Sequence, residues 1–173
     1  MYLVSIYFDD KTEDRIQNYI NKVAINSMNN YMIDANVPPH ITISAFEADD
    51  EEIVIDLLDK KIKSLQSGIL QWVSIGIFNP NVIFLTPVLN EYLHNLSLSI
   101  YEGLKEVEGI NISKYYLPLQ WLPHTTIAKK LSQSQLLNAF ETLQKSFSMF
   151  SGEVTRISLT KTNPYTEIKF WKI

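Results

Sequence analysis

The sequence has 173 residues, of which 46% are apolar and 20% are charged, and these proportions exclude an intrinsically disordered chain. The 15 basic and 19 acidic residues give a net charge of −4, which argues against a protein that grips DNA or long RNA through many phosphate contacts. The absence of cysteine excludes disulfides and thiolate metal sites. We expect one compact domain, or two small lobes that share a core.

The N-terminal part of the chain predicts a strand, a helix, an extended segment and a second helix. Tyr2 to Phe8 is rich in β-branched and aromatic residues and predicts the first strand. Thr12 is a candidate N-cap for a helix that continues to Met28. An extended segment follows from Ile33 to Phe46, and a helix is predicted from Asp50 to Gln66.

The rest of the chain alternates between hairpins and helices. The predicted elements are strands Ile69–Phe78 and Val82–Pro87, a helix Asn90–Val107, a strand Trp121–Lys130, a helix Gln133–Phe147, and strands Glu153–Lys161 and Thr166–Ile173. Because neighbouring strands are joined by hairpins and not by regular βαβ crossovers, the pattern predicts an α+β fold with antiparallel sheet.

The pattern Pro-His-x-Thr-Ile occurs twice in the sequence. The first copy contains His40 and Thr42, and the second contains His124 and Thr126. Each copy is followed by an amphipathic helix with a candidate N-cap and a Glu or Gln three positions later: Asp49 with Glu52, and Ser132 with Gln135. These matching strand–loop–helix units indicate an internal duplication.

The alternation of side chains along a strand assigns the residues of each motif to two faces. His40 and Thr42 are expected to line a groove, while Ile41 and Ile43 pack beneath the helix that follows. In the second copy Thr125 stands where the first has Ile41, so we expect the back of the second strand to be less buried.

The residue types in this pattern suit phosphoester chemistry. An imidazole has an ordinary pKa of about 6.5, so one histidine can accept a proton while the other donates one. A threonine hydroxyl on the same face can stabilise charge on a phosphate oxygen. A zinc site would need a third ligand, and neither motif contains an acidic residue, so no metal or cofactor is expected. One such motif alone is more often structural, but the pair uses two of only three histidines.

The motifs His40-Ile41-Thr42-Ile43 and His124-Thr125-Thr126-Ile127 resemble the signature of the two-histidine (2H) phosphoesterase superfamily, which includes bacterial 2′-5′ RNA ligase-like proteins and RNA cyclic phosphodiesterases. The resemblance covers nearly the whole chain. It implies a single domain over residues 1–173, built as a bilobal duplicated α+β fold. In that fold antiparallel sheets line a central groove and helices pack outside.

The resemblance also implies roles for particular residues. His40 and His124 correspond to the acid/base pair, with His124 favoured as base and His40 as acid, although the pseudo-symmetry makes these roles interchangeable. Thr42 and Thr126 correspond to the phosphate-binding residues.

The chain departs from the family pattern after the second motif. Many relatives have an arginine five residues beyond the second motif histidine, whereas this chain has Lys129. Strand parity would instead place Lys130 on the histidine face unless a bulge shifts the register, so both lysines remain candidates for substrate binding. The aromatic side chains of Tyr115, Tyr116 and Trp121 either stack a base or belong to the core.

The leading hypothesis is a metal-independent phosphodiesterase acting on the 2′,3′-cyclic phosphate of a nucleotide or RNA end. A non-catalytic protein that binds nucleotides or RNA ends, and a 2′-5′ RNA ligase, are the alternatives. Neither a leader peptide nor an apolar run of ~18 residues is present, so we expect a cytoplasmic monomer with no membrane and no DNA partner.

Overall fold

The computed structural model describes residues 1–173 and contains eight strands and five α-helices. The strands are β1 (Tyr2–Phe8), β2 (Ile41–Glu47), β3 (Gly68–Phe78), β4 (Val82–Pro87), β5 (Asn111–Ile112), β6 (Thr125–Ala128), β7 (Phe150–Lys161) and β8 (Thr166–Lys172). The helices are α1 (Asp10–Ser27), α2 (Tyr31–Ala35), α3 (Glu51–Ile62), α4 (Glu91–Leu104) and α5 (Gln133–Ser146). The predicted α+β class with antiparallel sheet is confirmed. None of the helices combines the length and apolar character that crossing a membrane requires.

All eight strands belong to one sheet, in the order β5-β2-β1-β7-β3-β4-β6, with β8 paired to β7. The two motif strands lie far apart in this order, β2 beside β1 and β6 beside β4. The long strand β7 connects the two regions, because its first residues pair with β3 and its later residues pair with β1 and β8. The predicted antiparallel sheets are therefore continuous through the β3–β7 pairing.

The two halves of the sequence exchange their last strands. The first half runs β1-α1-β2-α3-β3 and the second runs β4-α4-β6-α5-β7, apart from the short elements α2 and β5 and the C-terminal strand β8. Strand β3 pairs with β4 of the second half, and β7 pairs with β1 of the first. The helices cross in the same way, since α1 packs against α5 and α3 packs against α4. Both motif strands therefore belong to one continuous sheet, to which each half of the sequence contributes.

One hydrophobic cluster of 32 buried residues lies between the sheet and the four long helices. Ile41, on the back of β2, is completely buried, as predicted, and Ile127, on the back of β6, is completely buried as well. The expectation that the second strand is less buried on its back is wrong, because Thr125 is also completely buried. The indole Nε1 of Trp72 donates a hydrogen bond of 3.1 Å to the Thr125 hydroxyl, which satisfies the polar group inside the core.

Two of the predicted helix caps are displaced by one or more residues. The N-cap of α1 is Asp9 and not Thr12, because Thr12 lies in the first turn and donates its own N–H to the Asp9 carboxylate at 3.0 Å. Asp50 and not Asp49 caps α3, where its carboxylate accepts two backbone N–H groups. The capping box that begins at Ser132 is confirmed at the start of α5.

Prolines explain why the motif strands are shorter than predicted. The extended segment Ile33–Phe46 begins with part of α2, and β2 starts only after Pro38-Pro39. The segment Trp121–Lys130 forms a strand only from Thr125, after Pro123. Proline has no N–H to donate to a strand ladder, so pairing starts beyond it, and each motif histidine lies at the entrance of its strand.

Candidate functional site

Both motif histidines are held by the same contact with the backbone. The Nδ1 atom of His40 lies 2.8 Å from the carbonyl oxygen of Pro38, and Nδ1 of His124 lies 2.9 Å from the carbonyl oxygen of Leu122. A carbonyl oxygen only accepts hydrogen bonds, so Nδ1 carries the proton in each ring. In both motifs Nε2 is then the nitrogen that can exchange a proton with a bound ligand.

The two imidazoles influence each other electrostatically. Burial lowers the pKa of His40, the hydrogen bond to the Pro38 carbonyl opposes this, and the positive charges of His124 and Lys129 lower that pKa further. Burial also lowers the pKa of His124, against the hydrogen bond to the Leu122 carbonyl. Because a proton on one ring disfavours a proton on the other, we expect the pair to lose its protons in two coupled steps.

The motif threonines follow their histidines on the same side of each strand. Thr42 is 8% exposed, and its hydroxyl lies 3.4 Å from the hydroxyl of Ser5 on β1. Thr126 is half-buried and lies opposite Phe84 of β4. The contact of Ser5 could not be predicted from the sequence, because it depends on the pairing of β1 with β2, which places Ser5 opposite Thr42.

Lys129 and Lys130 follow the second motif, just beyond the end of β6. Strand β6 ends at Ala128 after a register shift in its pairing with β4, and Lys130 has a φ of +58°, in the left-handed region. The parity argument that favoured Lys130 therefore does not apply, since it assumed a regular strand. Both ammonium groups lie over the ring of Tyr31, at 5.1 Å for Lys129 and 4.4 Å for Lys130. Of these two lysines, Lys129 is the one whose charge lowers the pKa of His40.

An aromatic ring from β1 lies beside His40, and a charged side chain from β7 lies over that ring. The ring of Tyr7 lies 5.8 Å from the imidazole, and the guanidinium carbon of Arg156 lies 4.1 Å from the centre of the Tyr7 ring. The Tyr7 hydroxyl is 2.9 Å from the hydroxyl of Tyr165 in the β7–β8 turn. These three residues could not be predicted from the sequence, because 149 positions separate Tyr7 from its strand partner Arg156 and no local signal links them.

The surroundings of His124 are apolar by contrast. The ring of Phe78 meets the imidazole edge-on at 4.8 Å, and the ring of Phe84 lies at 5.3 Å. Both phenylalanines belong to the β3–β4 hairpin. The hairpin therefore packs two aromatic rings against the imidazole of His124.

A cavity of about 520 Å³ opens beside His124. Its walls are mainly aromatic and come from the segment before β6 and the tip of β3: Phe78, Lys114, Tyr115, Tyr116, Gln120, Trp121, Leu122 and His124. The three aromatic residues that were expected either to stack a base or to join the core differ in burial. Trp121 is buried, Tyr116 is half-buried, and Tyr115 is 73% exposed.

No three histidine, aspartate or glutamate side chains lie close enough together to hold a metal ion. The two motifs and Lys129 contribute two imidazoles, two threonine hydroxyls and one ammonium group.

Residues 12–165 match the family model of the 2′-5′ RNA ligase superfamily. A comparison with curated proteins finds no match. Among solved structures, the fold is similar to that of E. coli LigT complexed with 3′-AMP, at 16% identity and a TM-score of 0.63, covering 99% of this chain and 97% of that one. It is also similar to Kluyveromyces marxianus Usb1, at 11% identity and a TM-score of 0.52, covering 96% of each chain. The chain belongs to the 2′-5′ RNA ligase superfamily, the two-histidine phosphoesterases that its repeated motif predicts.

Proposed function

We propose that this protein is a metal-independent phosphodiesterase that opens the 2′,3′-cyclic phosphate of a nucleotide or RNA end. The observation that carries the proposal is the paired arrangement of His40 and His124. Each ring has its Nδ1 proton held by a backbone carbonyl, and the charge of one lowers the pKa of the other. Membership in a superfamily of phosphoesterases and ligases supports this class of reaction.

The proposed reaction needs one proton transfer at each imidazole. The Nε2 atom of one histidine removes a proton from water, whose oxygen attacks the phosphorus. The protonated second histidine donates its proton to the ribose oxygen that leaves. The hydroxyls of Thr42 and Thr126 donate hydrogen bonds to the non-bridging phosphate oxygens, and Lys129 offsets their negative charge. A proton shift between the rings and solvent restores the starting state.

The test is hydrolysis of the four nucleoside 2′,3′-cyclic phosphates in the presence of EDTA, with identification of the phosphate isomer released. We expect turnover with a bell-shaped pH profile. His40→Ala and His124→Ala should each lower kcat by ~10² to 10⁴. His94→Ala, which changes the remaining histidine on α4, is the control and should retain activity. Near-normal turnover by either motif variant would rule out the paired mechanism.

Ligation is a second candidate, because the family is named for 2′-5′ RNA ligation and the same two imidazoles can serve a 5′-hydroxyl that attacks the cyclic phosphate in place of water. An RNA with a 2′,3′-cyclic phosphate would be mixed with an RNA that carries a free 5′-hydroxyl, and the product examined for a 2′-5′ linkage. The structure of LigT with 3′-AMP supports a nucleotide phosphate as ligand in either reaction. Tight binding of these molecules without any turnover would instead indicate a binding protein.

A further inference from the structure

We propose that Ser5 and Ser158 are positioning residues for Thr42. Their hydroxyls continue a row that starts at the Thr42 hydroxyl and crosses strands β2, β1 and β7, and this hydroxyl row directs the Thr42 proton toward the phosphate. The inference rests on the proposed function, because it concerns how the chain supports one of the two threonines that hold the phosphate.

The hydroxyl row follows from the pairing of the strands. Ser5 lies opposite Thr42 of β2 on one side and opposite Ser158 of β7 on the other. Residues directly opposite each other in a sheet present their side chains on the same face, with Cβ atoms about 5 Å apart. The three hydroxyl groups are therefore neighbours on one face of the sheet.

The inner end of the row has a cost that packing does not explain. The Ser158 hydroxyl has no hydrogen-bond partner although the residue is completely buried, and Ser5 is only 1% exposed. A buried hydroxyl without a partner lowers stability, and an alanine at the same place would avoid that cost. Two serines here indicate that the hydroxyls serve something other than stability.

The direction of the hydrogen bonds explains how the row acts. A hydroxyl group carries one proton to donate. When Thr42 donates that proton to a phosphate oxygen, Ser5 has to be the donor in its contact with Thr42, and Ser158 can then donate to Ser5. Hydroxyls that donate in one direction polarise one another, which strengthens the bond to the phosphate. The Ser5 and Thr42 oxygens are 3.4 Å apart, a long contact that we expect to shorten when the phosphate draws on the Thr42 proton.

The second motif has no such row. Strand β6 is at the edge of the sheet, and the neighbour of Thr126 on β4 is Phe84, which has no hydroxyl. Thr42 has a further neighbour in Tyr116: burial raises the pKa of Tyr116, and a hydrogen bond with the Thr42 hydroxyl lowers it. We therefore expect Thr42 to stabilise more of the charge that develops on the phosphate than Thr126 does.

The test is a double-mutant cycle, in which kcat and KM are measured on one nucleoside 2′,3′-cyclic phosphate. Ser5→Ala should lower kcat by about fivefold and leave KM nearly unchanged, because the hydrogen bonds matter most when the charge on the phosphate is greatest. In a Thr42→Val background Ser5→Ala should have no further effect, since no Thr42 proton remains to be oriented. In a Thr126→Val background the full loss should persist.

Ser158 provides a second measurement, in which activity and stability should not fall together. Ser158→Ala removes an unpaired buried hydroxyl, so the urea midpoint of unfolding should stay the same or rise while kcat falls by about twofold. Thr160→Val is the matched control: the Thr160 hydroxyl is also buried without a partner on β7, but it lies opposite Leu3 and outside the row. It should leave kcat unchanged. A full kcat for Ser158→Ala would remove Ser158 from the row.

Failure of the row and failure of the proposed function give different results. If cyclic phosphates are hydrolysed and Ser5→Ala has normal kcat, or keeps its full effect after Thr42→Val, the row is wrong and the proposed function stands. If no cyclic phosphate is hydrolysed, the proposed function fails and calorimetry with 3′-AMP decides the row, because a phosphate monoester carries more negative charge than the cyclic diester. Weaker binding by Ser5→Ala than by the unmodified protein would support the row. Equal binding, or no binding by either, would overturn it.

Discussion

The two histidine motifs have the same backbone geometry and very different neighbours. In both, Nδ1 contacts the carbonyl oxygen two residues earlier, at 2.8 Å for His40 and 2.9 Å for His124. The imidazole of His40 packs against the ring of Tyr7, and the guanidinium group of Arg156 lies over that ring. The imidazole of His124 instead packs against two phenylalanine rings. The comparison teaches that the motif itself fixes the tautomer, while distant strands determine the electrostatic environment of each ring.

The largest expected effect is the loss of kcat when the motif histidines are removed, and it shows whether the two imidazoles act as one unit although their neighbours differ. The double variant His40→Ala/His124→Ala should lose little more kcat than either single variant, because removing one member already disables proton transfer. Measurements of kcat for the three variants on one cyclic nucleotide check this. If the fold loss of kcat in the double variant equals the product of the two single losses, the histidines contribute independently.

The backs of the two motif strands should differ in their tolerance to substitution. Thr125→Val removes the acceptor for the indole of Trp72 and leaves a buried N–H unpaired, so we expect it to lower the free energy of unfolding by ~1–3 kcal/mol. Ile41→Val, which removes one buried methylene from the other strand, should cost ~0.5–1.5 kcal/mol. Urea unfolding of both variants gives the comparison, and an equal or smaller loss for Thr125→Val would contradict it.

The polar surroundings of His40 should contribute more to stability than to turnover. Tyr7→Phe keeps the ring against the imidazole and removes the hydrogen bond to Tyr165, at a cost of ~0.5–1.5 kcal/mol in the free energy of unfolding. The value of kcat should stay close to that of the unmodified protein. A large fall in kcat would mean that the Tyr7 hydroxyl has a direct part in the reaction.

The smallest expected effect is a shift in the pH–rate profile, which should occur when Lys129 is changed but not when Lys130 is changed. The charge of Lys129 lowers the pKa of His40, so Lys129→Met should raise that pKa and move one limb of the pH–rate profile to higher pH. Movement of the acidic limb would identify His40 as the base, and movement of the basic limb would identify it as the acid. Lys130→Met is the matched control and should leave both limbs in place.

The sequence predicts those features of this molecule that depend on short-range patterns. The long helices, the motif strands and the α5 capping box follow from periodicity and capping residues, and the family follows from a repeated pentapeptide. The contacts of Ser5, Tyr7 and Arg156 could not be predicted, because they arise from strand pairings between distant segments. The positions of Lys129 and Lys130 depend on a bulge and a left-handed residue that no local rule required.

The exchange of strands β3 and β7 has a consequence for how the groove can move. A protein whose two histidines belonged to separate hinged domains could widen or narrow the gap between them at little cost. Here each half of the polypeptide completes the sheet of the other, so any such opening would have to break ladder hydrogen bonds between β3 and β7. A chain cut in the turn at residues 79–81 would yield two fragments that each lack a strand, and only their reassociation would bring the imidazoles back together.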